Sequence, residues 1–130
     1  MVGRTIFMSA TTVSQIVEAA AKGLKPSVVW LHFQECTGCT ESLLRTSHPD
    51  IGEIILDLIS LDYHETLFAA AGHQAEAARV QAMKANAGKY ACIVEGAIPT
   101  KDNGIYCMIG GRTALDLVKE VAGNAGAVIA

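Results

Sequence analysis

Four short apolar runs, separated by helix-like stretches, constrain this chain more than any other feature. "SVVWLHF" (27–33), "EIILDLISL" (53–61), "YACIVEG" (90–96) and "AGAVIA" (125–130) are rich in aliphatic and β-branched residues and read as strands. Between them, "TESLLRTSH" (40–48), "GHQAEAARVQAMKANAG" (72–88) and "TALDLVKEVAG" (113–123) read as helices. The first of these ends before Pro49, and the second is closed by Asn86 and Gly88. Strands alternating with helices imply right-handed crossovers and a parallel sheet with helices on both faces. The runs are apolar throughout, as burial of a strand on both faces requires. The expected class is therefore α/β.

The chain has 130 residues, enough for one domain with a real core. With 51% hydrophobic residues, 18% charged residues and a net charge of −3, it is neither disordered nor built to bind nucleic acid. Its apolar runs fall short of the ~20 residues that cross a bilayer. The start, "MVGRTIFMSA", carries one arginine and a brief apolar patch, without the h-region or cleavage site of an export signal. Residues 9–22 read as a short helix: Thr12 and Gln15 form a capping box, and Val13, Ile16, Val17 and Ala20 share a face. Gly23 and Pro26 then divide an N-terminal extension (1–25) from the main domain (26–130).

In open α/β sheets, ligands bind beyond the carboxyl ends of the strands, where strand order reverses. Cys36 and Cys39, in "ECTGC", follow the end of the first strand, and "EGAIPTKDNG" (95–104) follows the third. In a flavodoxin-like order those strands are neighbours, so Glu95, Gly96 and Pro99 are expected to face the cysteine loop. Gly38 is expected to let that loop bend. A C-x-x-C turn aims two sulfurs the same way and signals metal or redox chemistry without saying which. A thioredoxin-like dithiol has the right strand–loop–helix placement, but Glu35 opposes thiolate formation. Zinc needs two further ligands, and Cys92, Cys107 and His32 are not signalled as such. An iron–sulfur site usually needs four thiolates, of which two are well placed.

"ECTGCTESLLR", "LDLISLDYHETLFAAAGHQAEAA" and "VEGAIPTKDNGIYCMIGG", in that order and spacing, resemble the amino-terminal domain of the small subunit of [NiFe] hydrogenases over residues 26–130. The resemblance implies a flavodoxin-like domain in which Cys36 and Cys39 are two ligands of the proximal [4Fe–4S] cluster. The other two ligands come later in the family, the first soon after the strand matching "AVIA". Medial and distal clusters belong to a carboxyl-terminal domain that is not in these 130 residues, so the chain is expected to be a truncated form or a fragment. It implies a large-subunit partner that holds the Ni–Fe centre, electrons passing from hydrogen oxidation through the proximal cluster, and a membrane cytochrome or quinone-linked acceptor. It also implies a periplasmic, membrane-associated location. On this reading the chain is part of a heterodimeric hydrogenase and not catalytic alone. A thiol–disulfide oxidoreductase using Cys36 and Cys39, or a cluster-free partner-binding domain, is the alternative.

The same resemblance gives Glu35 and Thr37 a place at the subunit interface, as a proton relay or by tuning the cluster; otherwise they are a turn carboxylate and an N-cap threonine. Glu95 and Gly96 match positions beside the proximal cluster. Gly38 stands where oxygen-tolerant members carry an additional cysteine, which implies a conventional, oxygen-sensitive site. Cys92 is expected to be a buried small hydrophobe and Cys107 a structural thiol. His48 is expected to complement a helix end. His64 and His73 are expected to be hydrogen-bonded structural histidines, "FAAAGHQAEAA" core, and Asp102–Asn103–Gly104 a turn.

Overall fold

The computed structural model describes residues 23–130; the helix expected over 9–22 lies outside them. Strand β1 (Ser27–His32) is buried at all six positions, the apolar Val28–Leu31 together with the polar Ser27 and His32 at its ends. It is flanked by β2 (Ser60–His64) and β3 (Ala91–Glu95), and β6 (Ala127–Ile129) pairs with the far side of β3. All three pairings are parallel and the order is β2-β1-β3-β6, the flavodoxin-like arrangement in which the first and third strands are neighbours.

Helix α1 (Gly38–Leu44) and a short α2 (Ile51–Glu53) connect β1 to β2. Helix α3 (Gly72–Ala85) links β2 to β3 and packs on β1 and β2. A small antiparallel hairpin, β4 (Met108–Ile109) and β5 (Arg112–Thr113), precedes α4 (Ala114–Gly123), which packs on β3. The Thr113 hydroxyl accepts the Asp116 amide and so caps α4. Alternate residues of β1 split between two environments. Val29, Leu31 and Phe33 join Tyr63, Met83, Cys92, Leu117 and Val121 in the apolar core. Trp30 and His32 point to the opposite face, towards a buried polar cluster.

Four expectations are corrected. The run 53–61 is a strand only at its last two residues: the Asp50 carboxylate accepts the Glu53 amide and the Glu53 carboxylate accepts the Asp50 amide, a reciprocal cap that commits the chain to a helix. The turns continue through a π-helical stretch, Ile54–Leu58, and β2 begins only at Ser60, where the amide reaches the Pro26 carbonyl. A short apolar run carries no period that separates the two outcomes.

The helix expected over 40–48 starts earlier and ends at Leu44, where the Thr46 hydroxyl takes the Leu43 carbonyl. His48 therefore sits in a turn beyond the helix, within the Ser47–Asp50 bridge, and cannot complement its dipole. "FAAAGHQAEAA" is largely surface: Ala71, His73 and Ala77 are exposed, and α3 buries Arg79 and Met83 instead. Arg79 can be buried because Glu76, at 2.9 Å, and Glu120, at 3.7 Å, neutralise its guanidinium.

Candidate functional site

The cysteine loop leaves the carboxyl end of β1 and turns into α1. The bend is made at Thr37, which takes a left-handed conformation (φ 64°), and not at Gly38. Thr37 occupies the N-cap position without capping; its hydroxyl donates to Glu35 Oε1 at 3.3 Å. Glu35 Oε2 is buried and has no partner among the described residues. Cys36 and Cys39 are free and exposed. A Cβ at Gly38 would stand 3.1 Å from Cys36 Sγ, so the absence of a side chain there leaves room for the thiol.

The loop after β3 crosses directly over this turn. Gly96 has φ 96°, and a Cβ on it would meet Glu35 Cβ at 2.6 Å and the Gln34 carbonyl at 2.7 Å. Only glycine allows so close a crossing at that backbone conformation. Gln34 and Ala97 exchange backbone hydrogen bonds at 3.2 and 2.8 Å, which lock the two loops together. The Pro99 carbonyl lies against Gly104. Asp102, Asn103 and Gly104 form the expected turn, all three with positive φ.

Beneath the cysteines lies a polar cluster on the face of the sheet opposite the apolar core. In the parallel register His32 stands opposite Glu95 and Trp30 opposite His64. Glu95 is buried, and both its oxygens are used. Oε1 accepts the amides of Cys39 at 3.1 Å and Thr40 at 3.3 Å. Oε2 accepts Trp30 Nε1–H at 3.1 Å and the Thr40 hydroxyl at 2.7 Å, with His32 Nε2 also at 3.1 Å. Burial pushes this carboxyl up, but the Thr40 hydroxyl and amide, His32 and the Cys39 amide outweigh it and hold it below its usual range.

Two histidines belong to the same cluster. His64 Nδ1 accepts the amides of Thr66 at 3.3 Å and Leu67 at 3.1 Å, so its proton sits on Nε2, 3.4 Å from the Thr40 hydroxyl. Burial, with His32 nearby, pushes the His64 pKa down to about 4. Burial also lowers His32, against the pull of Glu95 and Glu35. His32 Nε2 reaches the Thr40 hydroxyl at 3.0 Å, while its buried Nδ1 has no hydrogen-bond partner among the described residues and lies 3.7 Å from Glu65. Burial raises the Glu65 carboxyl to about 7.

Sequence reasoning placed Glu95, Gly96 and the cysteine turn together, and the structure does so. It missed Trp30, Thr40 and Glu65, and it undervalued His32 and His64. A polar residue at a strand position that should be apolar, as His32 is in "SVVWLHF", was the available signal. Cys92 is wholly buried, and burial raises its thiol to about 12. Cys107 packs at the edge of the core, and His73 is exposed at the start of α3. Among the described residues, no group of three or more His, Cys, Asp or Glu is arranged to hold a metal ion, and no helix is long and apolar enough to cross a membrane.

A family described as NADH ubiquinone oxidoreductase, 20 Kd subunit, matches residues 36–130. The chain is 44% identical over 126 residues to the Hydrogenase-2 small chain of Escherichia coli (strain K12), covering 97% of this chain and 34% of that protein. It is 51% identical over 126 residues to the periplasmic [NiFe] hydrogenase small subunit 1 of Nitratidesulfovibrio vulgaris, covering 97% and 39%. A solved structure of a reduced, active form of the Ni-Fe-Se hydrogenase from Desulfomicrobium baculatum superposes with a TM-score of 0.78 at 39% identity. That match covers 80% of this chain and 40% of the other. The chain thus spans between a third and two-fifths of the length of these curated relatives.

Proposed function

Because the chain belongs to the NADH ubiquinone oxidoreductase, 20 Kd subunit family and is similar along nearly its whole length to hydrogenase small subunits, we propose that it is the proximal-cluster part of a [NiFe] hydrogenase small subunit. In this reading Cys36 and Cys39 provide two thiolate ligands to a [4Fe–4S] cluster. The observation that carries it is the exposure of both thiols on one turn at the carboxyl edge of the sheet, with their helix tied down from below by Glu95. The donor chemistry fits, since thiolates are the usual ligands of such clusters. The pair supplies half of a four-thiolate set. The remaining thiolates would come from further residues of the subunit.

When bound, the cluster supplies one-electron storage and transfer. The chain's own residues orient and insulate. Glu95 holds the amides of Cys39 and Thr40, and Gly38 leaves space beside Cys36. A glycine at the position where oxygen-tolerant members carry an additional cysteine supports a conventional, oxygen-sensitive arrangement in this reading. In this reading Glu35 and Thr37 would hand a proton along the interface with the large subunit; their mutual hydrogen bond, and a Glu35 oxygen buried without a partner among the described residues, support it. The partner in this reading is the large subunit with its Ni–Fe centre, which oxidises hydrogen. The electrons then leave through medial and distal clusters to a membrane cytochrome or quinone-linked acceptor. The location in this reading is the periplasmic side of the membrane, and the name of the Nitratidesulfovibrio relative supports the compartment.

Iron and acid-labile sulfide analysis of the anaerobically purified full-length complex tests the proposal. Stoichiometric iron, reduced in the Cys36→Ser and Cys39→Ser variants, is expected. An iron-free complex that reduces insulin would show a dithiol enzyme instead.

A further inference from the structure

One buried hydroxyl ties three strands to the turn that carries the cysteines. Thr40 is 1% exposed. A hydroxyl has one proton and two acceptor lone pairs. The proton goes to Glu95 Oε2 on β3, at 2.7 Å. The lone pairs face Nε2 of His32 on β1, at 3.0 Å, and Nε2 of His64 on β2, at 3.4 Å. His64 can present only Nε2–H inward, because backbone amides occupy its Nδ1. His32 is held in plane by parallel stacking on Trp30, with an interplanar angle of 7°.

The geometry points to Thr40 as a positioning residue for the cysteine pair. Its hydroxyl, with Trp30 and His32, orients the Glu95 carboxylate, and Glu95 Oε1 is thereby aimed at the amides of Cys39 and Thr40. Those two bonds fix the first turn of α1, and with it the direction in which Cys39 leaves the backbone and the shape of the loop back to Cys36. Among the described residues Thr40 makes no hydrogen bond to either thiol, and it acts on the cysteine turn through Glu95. The inference rests on the proposed cluster only for what the thiols bind; the holding of the turn is a property of this chain.

Hydrogen exchange of the purified, cluster-loaded full-length complex tests it, read at the amides of Cys39 and Thr40 against those of α3 and α4. Thr40→Val keeps the shape and removes the hydroxyl. Exchange at residues 39 and 40 should quicken tenfold or more, with α3 and α4 unchanged, and the paramagnetic signal of the reduced iron–sulfur centre should shift. Thr40→Ser should restore both. Glu95→Gln should quicken the same two amides, and adding Thr40→Val to it should cause little further change, because the two act in series. Unchanged exchange in Thr40→Val, failure of serine to rescue, or additive effects would overturn the inference. Should Thr40→Val not assemble, Glu95→Gln decides: unaltered exchange at 39 and 40 overturns it. A complex without iron that keeps this exchange pattern would sink the cluster reading and leave the positioning role standing.

Discussion

Glu95 and Thr40 are joined twice, once through the Thr40 hydroxyl at 2.7 Å and once through the Thr40 amide at 3.3 Å, so the end of β3 grips the first turn of α1. The carboxylate is buried, and Trp30 Nε1–H, the Thr40 hydroxyl and the amides of Cys39 and Thr40 all donate to it. Replacing it with leucine would strand Trp30 Nε1–H, the Thr40 hydroxyl and two backbone amides. An unsatisfied buried donor costs about 1–3 kcal/mol. Glu95→Leu is therefore expected to lower stability by about 3 kcal/mol or more, measured as a drop in urea midpoint. A midpoint unchanged from the parent would mean that water replaces the carboxylate at no cost.

The loop crossing at Gly96 gives a second expectation. A methyl group there meets Glu35 Cβ and the Gln34 carbonyl well inside contact distance, at a backbone conformation that L-residues resist. Gly96→Ala should destabilise the chain by roughly 2 kcal/mol or more and lower the iron content of the complex by displacing the cysteine turn. Gly88→Ala provides the control: it also has positive φ, but nothing lies within 4 Å of its Cβ position. Its loss should be smaller and should leave iron binding intact.

Thiol reactivity should divide the four cysteines. Cys36 and Cys39 are exposed, Cys107 is half-buried, and Cys92 is wholly buried with its thiol raised to about 12. In the metal-free chain, brief alkylation near neutral pH followed by peptide mass spectrometry should mark Cys36 and Cys39 first and Cys107 more slowly. Cys92 should react only on unfolding. Early labelling of Cys92 would contradict its place in the core.

Two groups, the buried His64 and the half-buried Glu65, make stability depend on pH in opposite senses. Glu65 rises from 4.5 to about 7 on folding. Between those values the folded chain keeps a proton that the unfolded chain has lost, so this contribution weakens as pH rises through the window. His64 falls from 6.5 to about 4. Within that range the unfolded chain binds a proton that the folded chain refuses, so its contribution weakens as pH falls. Glu65→Gln should consequently raise the urea midpoint more at about pH 7.5 than at about pH 5, because it removes a charge that folding has to bury. An equal gain at both pH values would mean that Glu65 is solvated in the folded chain.

The α/β class, the parallel order and the side-by-side placement of the first and third strands were legible in the sequence. Burial on both faces forces an apolar run of a recognisable kind, and crossover handedness leaves few topologies. The turn holding Cys36 and Cys39 was legible too, since its residue types are unusual wherever they occur. The boundary of β2 was not: whether "EIILDL" coils or extends was decided by the Asp50–Glu53 cap, a local bond that outweighs an ambiguous apolar pattern. Nor did residue spacing say which glycine bends and which merely makes room, because that depends on backbone angles and on the loop lying across it. The polar cluster under the cysteines belongs wholly to the tertiary structure. Trp30, His32, Thr40, His64 and Glu95 come from four different elements, and only strand register and the docking of α1 bring them within hydrogen-bond reach. The sequence by itself determined which residues could do chemistry. The fold decided which of them hold the others in place, since hydrogen bonding acts over about 3 Å and nothing in a linear chain measures that distance.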